Sequence, residues 1–314
     1  MTELVSVLLP TYNDSVESLK TSIDSVLGQT YKNLELLIID DGSFLPFAGL
    51  NKTVQDSRIT WLLNACNKGV AFSRNKAAQH AQGDYLAFLD AGDWWEAEKI
   101  QKQLKLFKID SDKLALVFCG ARFYPRDSTP YSIFPRLYAD WVKALLIGQP
   151  IVGSSSAVVL KKDIFCTVGG FYDKEDIPED RDLWLRIAQI KEIDFVSEPL
   201  TNIGIDHETG QSRSSDPQKK SHSYRRFLEI HENEIKHKKV KNKAYASYHA
   251  SIAQKYFLMN DIKNGMKETF HSMRYYFLMR SIIRCFVALF AFITGIPYRD
   301  CVLFFRKKLL HKNT

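Results

Sequence analysis

Residues 5–41 read VSVLLPTYNDSVESLKTSIDSVLGQTYKNLELLIIDD, and this stretch decides the fold class. Ser6-Val7-Leu8-Leu9 is a short apolar run that ends at Pro10. Val16 to Leu27 spaces its apolar residues as a helix does, and Leu34 to Ile39 (LELLII), apolar but for Glu35, reads as a buried strand. The rhythm continues. Ile59 to Leu63 reads as a third strand, Val70 to Ala81 as a helix, Tyr85 to Leu89 as a fourth strand and Glu96 to Ile109 as a helix. Alternating strands and helices of this kind predict an α/β fold, a mostly parallel sheet flanked by helices.

In such sheets a ligand binds outside the carboxyl ends of the strands. Polar residues follow four of the predicted strands: Thr11, Tyr12 and Asn13 after the first, Asp40 and Asp41 after the second, Asn64 and Asn67 after the third, Asp90 and Asp93 after the fourth. They can therefore converge on one crevice. The second half is less regular. Leu114 to Ala121, Ala157 to Leu160, Ile193 to Val196 and Thr201 to Ile205 read as strands, and Asp180 to Ile190 as a helix. Beyond about residue 214 the pattern turns helical: Ser221 to Ile235, Lys243 to Met259 and Ile262 to Met279, with a hairpin turn at Asn260-Asp261. The expected organisation is a domain over 1–213 and a helical region over 214–314.

Each candidate site segment has a bland reading beside a chemical one. Asp40-Asp41-Gly42-Ser43 is either an acidic turn or a pair of carboxylates that hydrogen-bond a base or ribose. Asp90-Ala91-Gly92-Asp93 holds two carboxylates on a tight turn, suited to magnesium or manganese. With Glu96 it also fits a helix capping box. Glu179 and Asp180 at a helix start are favoured by the helix dipole, and either could serve as a general base. Asn67-Lys68-Gly69 with Arg74-Asn75 surrounds a helix start, a place that suits phosphate. His207 is a lone histidine in a loop.

Order and spacing add what no single segment carries. Ser6 to Asn13 (SVLLPTYN), then Ile39-Asp40-Asp41-Gly42-Ser43, Asn67-Lys68-Gly69-Val70-Ala71, Ser73-Arg74-Asn75, Phe88-Leu89-Asp90-Ala91-Gly92-Asp93, Gly169-Gly170-Phe171, Glu179 to Arg186 (EDRDLWLR) and His207 together resemble the family 2 inverting glycosyltransferases of the GT-A fold. The resemblance covers roughly residues 4–212. It implies transfer of a single sugar from a nucleotide sugar, a UDP-sugar by family habit, to a hydroxyl of a glycan acceptor. It also implies roles. Thr11, Asn13, Asp40, Asp41, Asn67, Arg74 and Asp90 would bind the nucleotide sugar. Asp180 would be the general base, with Glu179, Gly170 and Trp184 on the acceptor side. Asp90, Asp93 and His207 would hold Mn2+ or Mg2+. The family's metal turn is usually Asp-x-Asp, and Gly92 stands where the third residue should be; Asp93 is the expected substitute. No Gln-x-x-Arg-Trp motif of processive polymerases is present. The competing readings are a sugar nucleotidyltransferase, which should carry a Gly-rich basic loop where Pro10-Thr11-Tyr12-Asn13 stands, and a nucleotide-binding scaffold that has lost its metal turn.

Charge is divided unevenly. The net charge is +7, but residues 1–213 carry roughly −6 and residues 214–314 roughly +13. No nucleic-acid-binding motif accompanies the basic excess, so nucleic acid is not the expected partner. Cys285 to Ile296 is an apolar run, shorter than the roughly 20 residues a membrane span needs. Arg280, Arg284, Arg299, Arg306, Lys307 and Lys308 flank it among aromatic residues, a pattern that suits a segment lying on an anionic membrane surface over about 281–310. Packing as a buried helix is the other reading. Bacterial enzymes of this resemblance often glycosylate polyprenyl-diphosphate-linked acceptors in surface polysaccharide assembly (O-antigen, capsule or exopolysaccharide). The expected location is therefore the cytoplasmic face of the membrane, peripherally held. Five scattered cysteines and the lack of a signal peptide fit the same compartment.

Overall fold

The structure, a computed structural model, describes residues 3–110, 112–125, 129–174, 176–205, 216–235, 237–276, 279–294, 298 and 302. The chain divides into two compact units. The first comprises Met1–Leu145, Gln149–Glu175 and Glu179–Glu208; the second comprises Leu146–Gly148, Asp176–Pro178 and Thr209–Thr314.

In chain order the elements are β1 (Val5–Thr11), α1 (Val16–Leu27), β2 (Leu34–Asp40), β3 (Ile59–Leu63), α2 (Val70–His80), β4 (Tyr85–Phe88), β5 (Trp94–Trp95), α3 (Lys99–Phe107), β6 (Leu114–Pro125), β7 (Tyr131–Ile133), α4 (Trp141–Ile147), β8 (Val159–Lys161), α5 (Lys162–Thr167), α6 (Glu179–Ala188) and β9 (Glu192–Ile205). Four helices follow: α7 (Pro217–Ile230), α8 (Lys238–Leu258), α9 (Ile262–Tyr275) and α10 (Met279–Thr294).

The strands form one sheet in the order β3-β2-β1-β4-β8-β6-β9-β5, with β7 on β6. The first four are parallel, as the sequence rhythm predicts. β1 is paired on both sides and buried along its whole length, which is why it reads as a continuous apolar run. β3 lies at the sheet edge and only partly buries its residues. Beyond β4 the sheet turns mixed: β4–β8, β8–β6 and β9–β5 are antiparallel and β6–β9 parallel. α1 starts at Ser15, whose side chain accepts from the Ser18 N–H. It buries Leu19, Ile23 and Val26 in a core shared with β1, β2, β4 and α3.

The sequence reading broke β9 into two strands. The structure makes it one strand with an irregularity, because Cys119 pairs with Val196 while Gly120 pairs with Pro199. Pro199 can donate no ladder hydrogen bond, and a bulge is where a sheet tolerates it. A Cβ on Gly120 would stand 3.0 Å from the Glu198 carbonyl oxygen, so a larger residue would crowd the bulge. The alternative reading of Asp93 and Glu96 as a capping box does not hold: α3 starts at Lys99, with no side-chain cap at Glu98.

In the second unit Asp216 caps α7 by accepting from the Gln218 and Lys219 N–H groups. The predicted hairpin turn is present: Asn260 takes φ +60° and Asp261 caps α9. A Cβ on Gly265 would fall 2.3 Å from the Phe257 ring, so α8 and α9 approach closely there. Ala253, Phe257, Val287, Ala288, Ala291 and Tyr298 form a small core. Among the described residues no helix is long and apolar enough to cross a membrane.

Candidate functional site

The ends of β1, β2 and β3 are in register, with Thr11 beside Asp40 and Asp40 beside Leu63. Asp40, Asp41 and Asn64 therefore emerge together with Thr11, and Asp90 follows from β4. The first wall is built by hydrogen bonds within the chain. The Thr11 hydroxyl donates to Asp14 Oδ2 (2.8 Å), and the same oxygen accepts from the Tyr12 N–H. Asn13 sits at φ +55°; its N–H donates to Ser43 Oγ and its side-chain oxygen accepts from the Phe44 N–H. Asp40, expected to meet the nucleotide, is fully buried. Its oxygens accept from the Ser43 and Phe47 N–H groups (2.7 and 2.6 Å), so it holds the loop.

Asp41 accepts from the Lys68 and Gly69 N–H groups (2.9 and 2.7 Å) and from Asn64 Nδ2 (2.7 Å). Asn64 also reaches Ser73 on α2. The start of α2, expected to attract phosphate, thus already has a carboxylate of the chain itself against its positive end. Gly42 allows this closeness: at φ +80° a Cβ there would lie 2.6 Å from the Cys66 carbonyl carbon. Asn67 stands exposed beside this contact.

Arg74, one helical turn into α2, ties the site together. It is 2% exposed. Nη2 bonds Asp90 Oδ1 at 2.5 Å, Nη1 lies 3.6 Å from Glu179 Oε1, and the guanidinium sits over the Phe171 ring at 5.1 Å. Burial opposes its charge, but Asp90, Glu179 and Asp180 more than offset that, and its pKa is raised. Its Nε and Nη1 make no hydrogen bond. Beside it Asn75 clamps the Gly169-Gly170-Phe171 turn, accepting from the Phe171 N–H and donating to the Phe171 carbonyl.

Asp180 opens α6. Its oxygens accept from Gln149 Nε2 (3.0 Å), Ser154 Oγ (3.2 Å) and the Arg181 N–H (2.6 Å). Burial pushes the carboxyl above its ordinary range, against the Arg181 N–H and the Arg74 charge. A carboxylate with a raised pKa is a better proton acceptor. Ser154 holds its place at φ +53°, ψ −150°, a region that costs a non-glycine residue about 1–3 kcal/mol.

Three expected roles meet obstacles. Asp93 does not face the crevice: it is buried, accepting from Ser156 Oγ (2.6 Å) and the Gly204 N–H (3.2 Å). Burial and then Asp90 raise its pKa well above the ordinary value, which favours a protonated group over a metal ligand. Trp184 is fully buried among Phe88 and Phe171, so it cannot touch an acceptor and supports the floor from within. Gly170 is buried, carries its carbonyl to Arg186 Nη2, and lines a groove of about 750 Å³ with Asn75, Phe72 and Phe165. His207 lies outside the described residues.

A divalent cation fits here through one carboxylate. Asp90 is 37% exposed in its side chain and gives one oxygen to Arg74, leaving the other for a ligand. A single carboxylate plus phosphate oxygens is an ordinary magnesium or manganese arrangement. The sequence reading missed the residues that arrange these groups. Ser156 accepts from the Asp90 N–H while donating to Asp93, and Gln149 and Ser154 orient Asp180. The small-residue run Gly153-Ser154-Ser155-Ser156 was their signal, legible as a loop.

Among curated proteins, the chain is 38% identical over 108 residues to the UDP-Glc:alpha-D-GlcNAc-diphosphoundecaprenol beta-1,3-glucosyltransferase WfaP of Escherichia coli, covering 34% of this chain and 43% of WfaP. It is 43% identical over 103 residues to WfgD of the same organism, an enzyme of the same description, covering 33% of this chain and 40% of WfgD. The matches thus span less than half the length of either relative. Among solved structures, the mannosyltransferase PcManGT of Pyrobaculum calidifontis, in complex with GDP-Man and Mn2+, superposes with a TM-score of 0.61 at 16% identity, over 94% of this chain and 82% of that one. That likeness shows the GT-A fold. The family model described as "Glycosyl transferase family 2" matches residues 6–166. Because that match takes in just over half of the chain, and every strand-end residue from Thr11 to Asp93 falls within it, the chain belongs to glycosyltransferase family 2.

Proposed function

We propose that the protein transfers a single sugar, with inversion, from a UDP-sugar to a hydroxyl of a polyprenyl-diphosphate-linked glycan in surface polysaccharide biosynthesis. The observation that carries this reading is the guanidinium of Arg74. It joins Asp90 at the end of β4 to Glu179 at the start of α6, beside an Asp180 whose carboxyl burial has raised. Donor-side and acceptor-side carboxylates thus share one buried cation. The relatives' descriptions support the substrate classes, since both name a UDP-sugar and a diphosphoundecaprenol-linked acceptor.

In the mechanism, Asp180 accepts the proton of the acceptor hydroxyl. That oxygen bonds to the anomeric carbon as the bond to the diphosphate breaks on the opposite face, and the nucleoside diphosphate leaves. Glu179 lies on the acceptor side. Thr11, Asn67 and Asp41 border the nucleoside, with Asp40 and Asn13 holding the loop that shapes that wall. Asp90 would hold Mn2+ or Mg2+, which supplies positive charge for the departing diphosphate. The exposed apolar residues of α10 and the basic excess of residues 214–314 would keep the protein at an anionic membrane surface, where such an acceptor presents its headgroup.

The test is product formation by the full chain with manganese, a panel of nucleotide sugars and undecaprenyl-diphosphate-GlcNAc in micelles. One UDP-sugar should yield a product heavier by one sugar and of opposite anomeric configuration. Binding without turnover of any donor would point to a scaffold. Consumption of a nucleoside triphosphate with a sugar 1-phosphate would point to a nucleotidyltransferase.

A further inference from the structure

We propose that the α8–α9 hairpin holds a transition-metal ion, zinc by its ligand chemistry, between His249, Glu268 and His271. None of the three is among the residues proposed for sugar transfer. Glu268 and His271 are three residues apart on α9, so both project from one face of that helix. His249 comes from α8. One ligand atom from each of the three lies within 4.8 Å of the others, and among the described residues no other His/Cys/Asp/Glu group meets that condition. Zinc bonds of about 2.0–2.2 Å to nitrogen and oxygen place tetrahedral ligands roughly 3.3 Å apart. Small side-chain rotations therefore close the triangle.

The surroundings are those of a built site. All three residues are half-buried. The His249 ring is stacked on Tyr275 at 5.5 Å, and Tyr275 is stacked on Tyr245 at 5.2 Å. His271 meets His249 edge-on, with centroids 5.3 Å apart. The His249 Nδ1 and Glu268 Oε2 are hydrogen-bonded at 2.7 Å.

Two imidazoles and one carboxylate favour zinc over magnesium or calcium, which seek oxygen alone. Water would complete the four-coordinate shell. The ion would replace the His249–Glu268 hydrogen bond as the link between α8 and α9, which already approach closely at Gly265. Metal affinity contributes to folded-state stability when the unfolded chain lacks the site.

The test uses the full chain without a polyhistidine tag, stripped by a chelator, reloaded with zinc chloride and dialysed. Metal analysis should find one zinc per chain, and zinc should raise Tm. Cobalt in its place should give the strong visible absorption of a four-coordinate site. His249→Ala and His271→Ala should lose the zinc, the Tm rise and the cobalt bands, with circular dichroism confirming the helices. Glu268→Gln keeps a hydrogen bond to His249 but should weaken zinc binding at least tenfold. Asp90→Asn should retain the full zinc equivalent, which separates this site from the sugar-transfer crevice. A wild-type chain that takes up no zinc overturns the proposal, as do histidine variants that retain it. Either result would leave a hydrogen-bonded His249–Glu268 pair with the His271 ring packed beside it.

Discussion

At Asp180 three hydrogen-bond donors and burial pull in opposite directions, and that balance sets what the residue can do. General-base assistance is worth about 10²–10⁴-fold in rate. Asp180→Asn should therefore lower kcat by at least about two orders of magnitude while UDP-sugar affinity stays within a few-fold, as titration calorimetry would read. Near-normal turnover would remove Asp180 from the role. The base must be ionised, so activity should rise with pH through its raised pKa. The Ser154 hydroxyl favours the ionised form, and Ser154→Ala should move the acidic limb of the pH–rate profile upward. Asp93 should behave differently. Asp93→Ala strands Ser156 Oγ and the Gly204 N–H, at a cost of about 1–3 kcal/mol in unfolding free energy. Asp93→Asn should cost less, because its amide oxygen can accept from the Gly204 N–H while Ser156 Oγ turns to accept from its Nδ2. If Asp93→Asn instead abolishes manganese-dependent turnover with stability intact, Asp93 ligates metal after all.

α3 shows how an element carries a cost that the sequence hides. Lys99 reads as an ordinary surface residue of an amphipathic helix, yet it is fully buried, with Nζ 4.0 Å from the Trp95 ring centroid and no hydrogen-bond partner. Burial lowers its pKa from 10.5 to about 8. The unfolded chain then binds the proton more tightly than the folded one, so folding stability rises as pH climbs from about 8 towards 10.5. The full swing is about 3 kcal/mol at 1.36 kcal/mol per pKa unit. Lys99→Met should stabilise the fold at pH 7 by about 1–3 kcal/mol and flatten that rise, as urea unfolding at pH 7 and 9.5 would show. Parallel pH dependence in the two proteins would mean that Lys99 keeps its charge by some other partner. Elements whose burial follows from period alone were legible: α1, β1 to β4 and the α8–α9 hairpin. β5 and β7, two and three residues long, offer too little period to read, and β9 was cut because Pro199 looks like a break until β6 supplies its partner. The site divides the same way. Asp41 and Asp90 follow β2 and β4, and Asp180 lies in the first turn of α6, the element ends at which the sequence predicts them. The turning of Asp93 inward depends on Ser156 and Gly204, partners 63 and 111 residues away, and no local pattern encodes that.

For the whole molecule, the decisive quantity is the opposition between the two halves of the charge. Residues 1–213 are net acidic at roughly −6 and residues 214–314 net basic at roughly +13. α10 exposes Ile283, Phe286 and Leu289, spaced three apart and so on one face. Sixteen residues give about 24 Å of helix, short of a bilayer's hydrocarbon thickness of about 30 Å. If it binds a membrane, such a helix would lie in the interface, and its two contributions would respond to different variables. Each Lys or Arg near an anionic surface adds about 1 kcal/mol at low salt, a contribution screened beyond about 8 Å at physiological ionic strength. Apolar insertion is indifferent to salt. Sedimentation with phosphatidylglycerol vesicles should therefore fall as sodium chloride rises but not vanish, and phosphatidylcholine vesicles should capture only that salt-independent remainder at every salt concentration. Phe286→Ser should reduce binding at every salt concentration and leave the slope against salt unchanged. Deleting residues 281–314 should move the protein from the membrane to the soluble fraction. If fractionation is unchanged by that deletion, or if neutral vesicles bind as well as anionic ones, the exposed face of α10 serves some purpose other than holding this enzyme beside its acceptor.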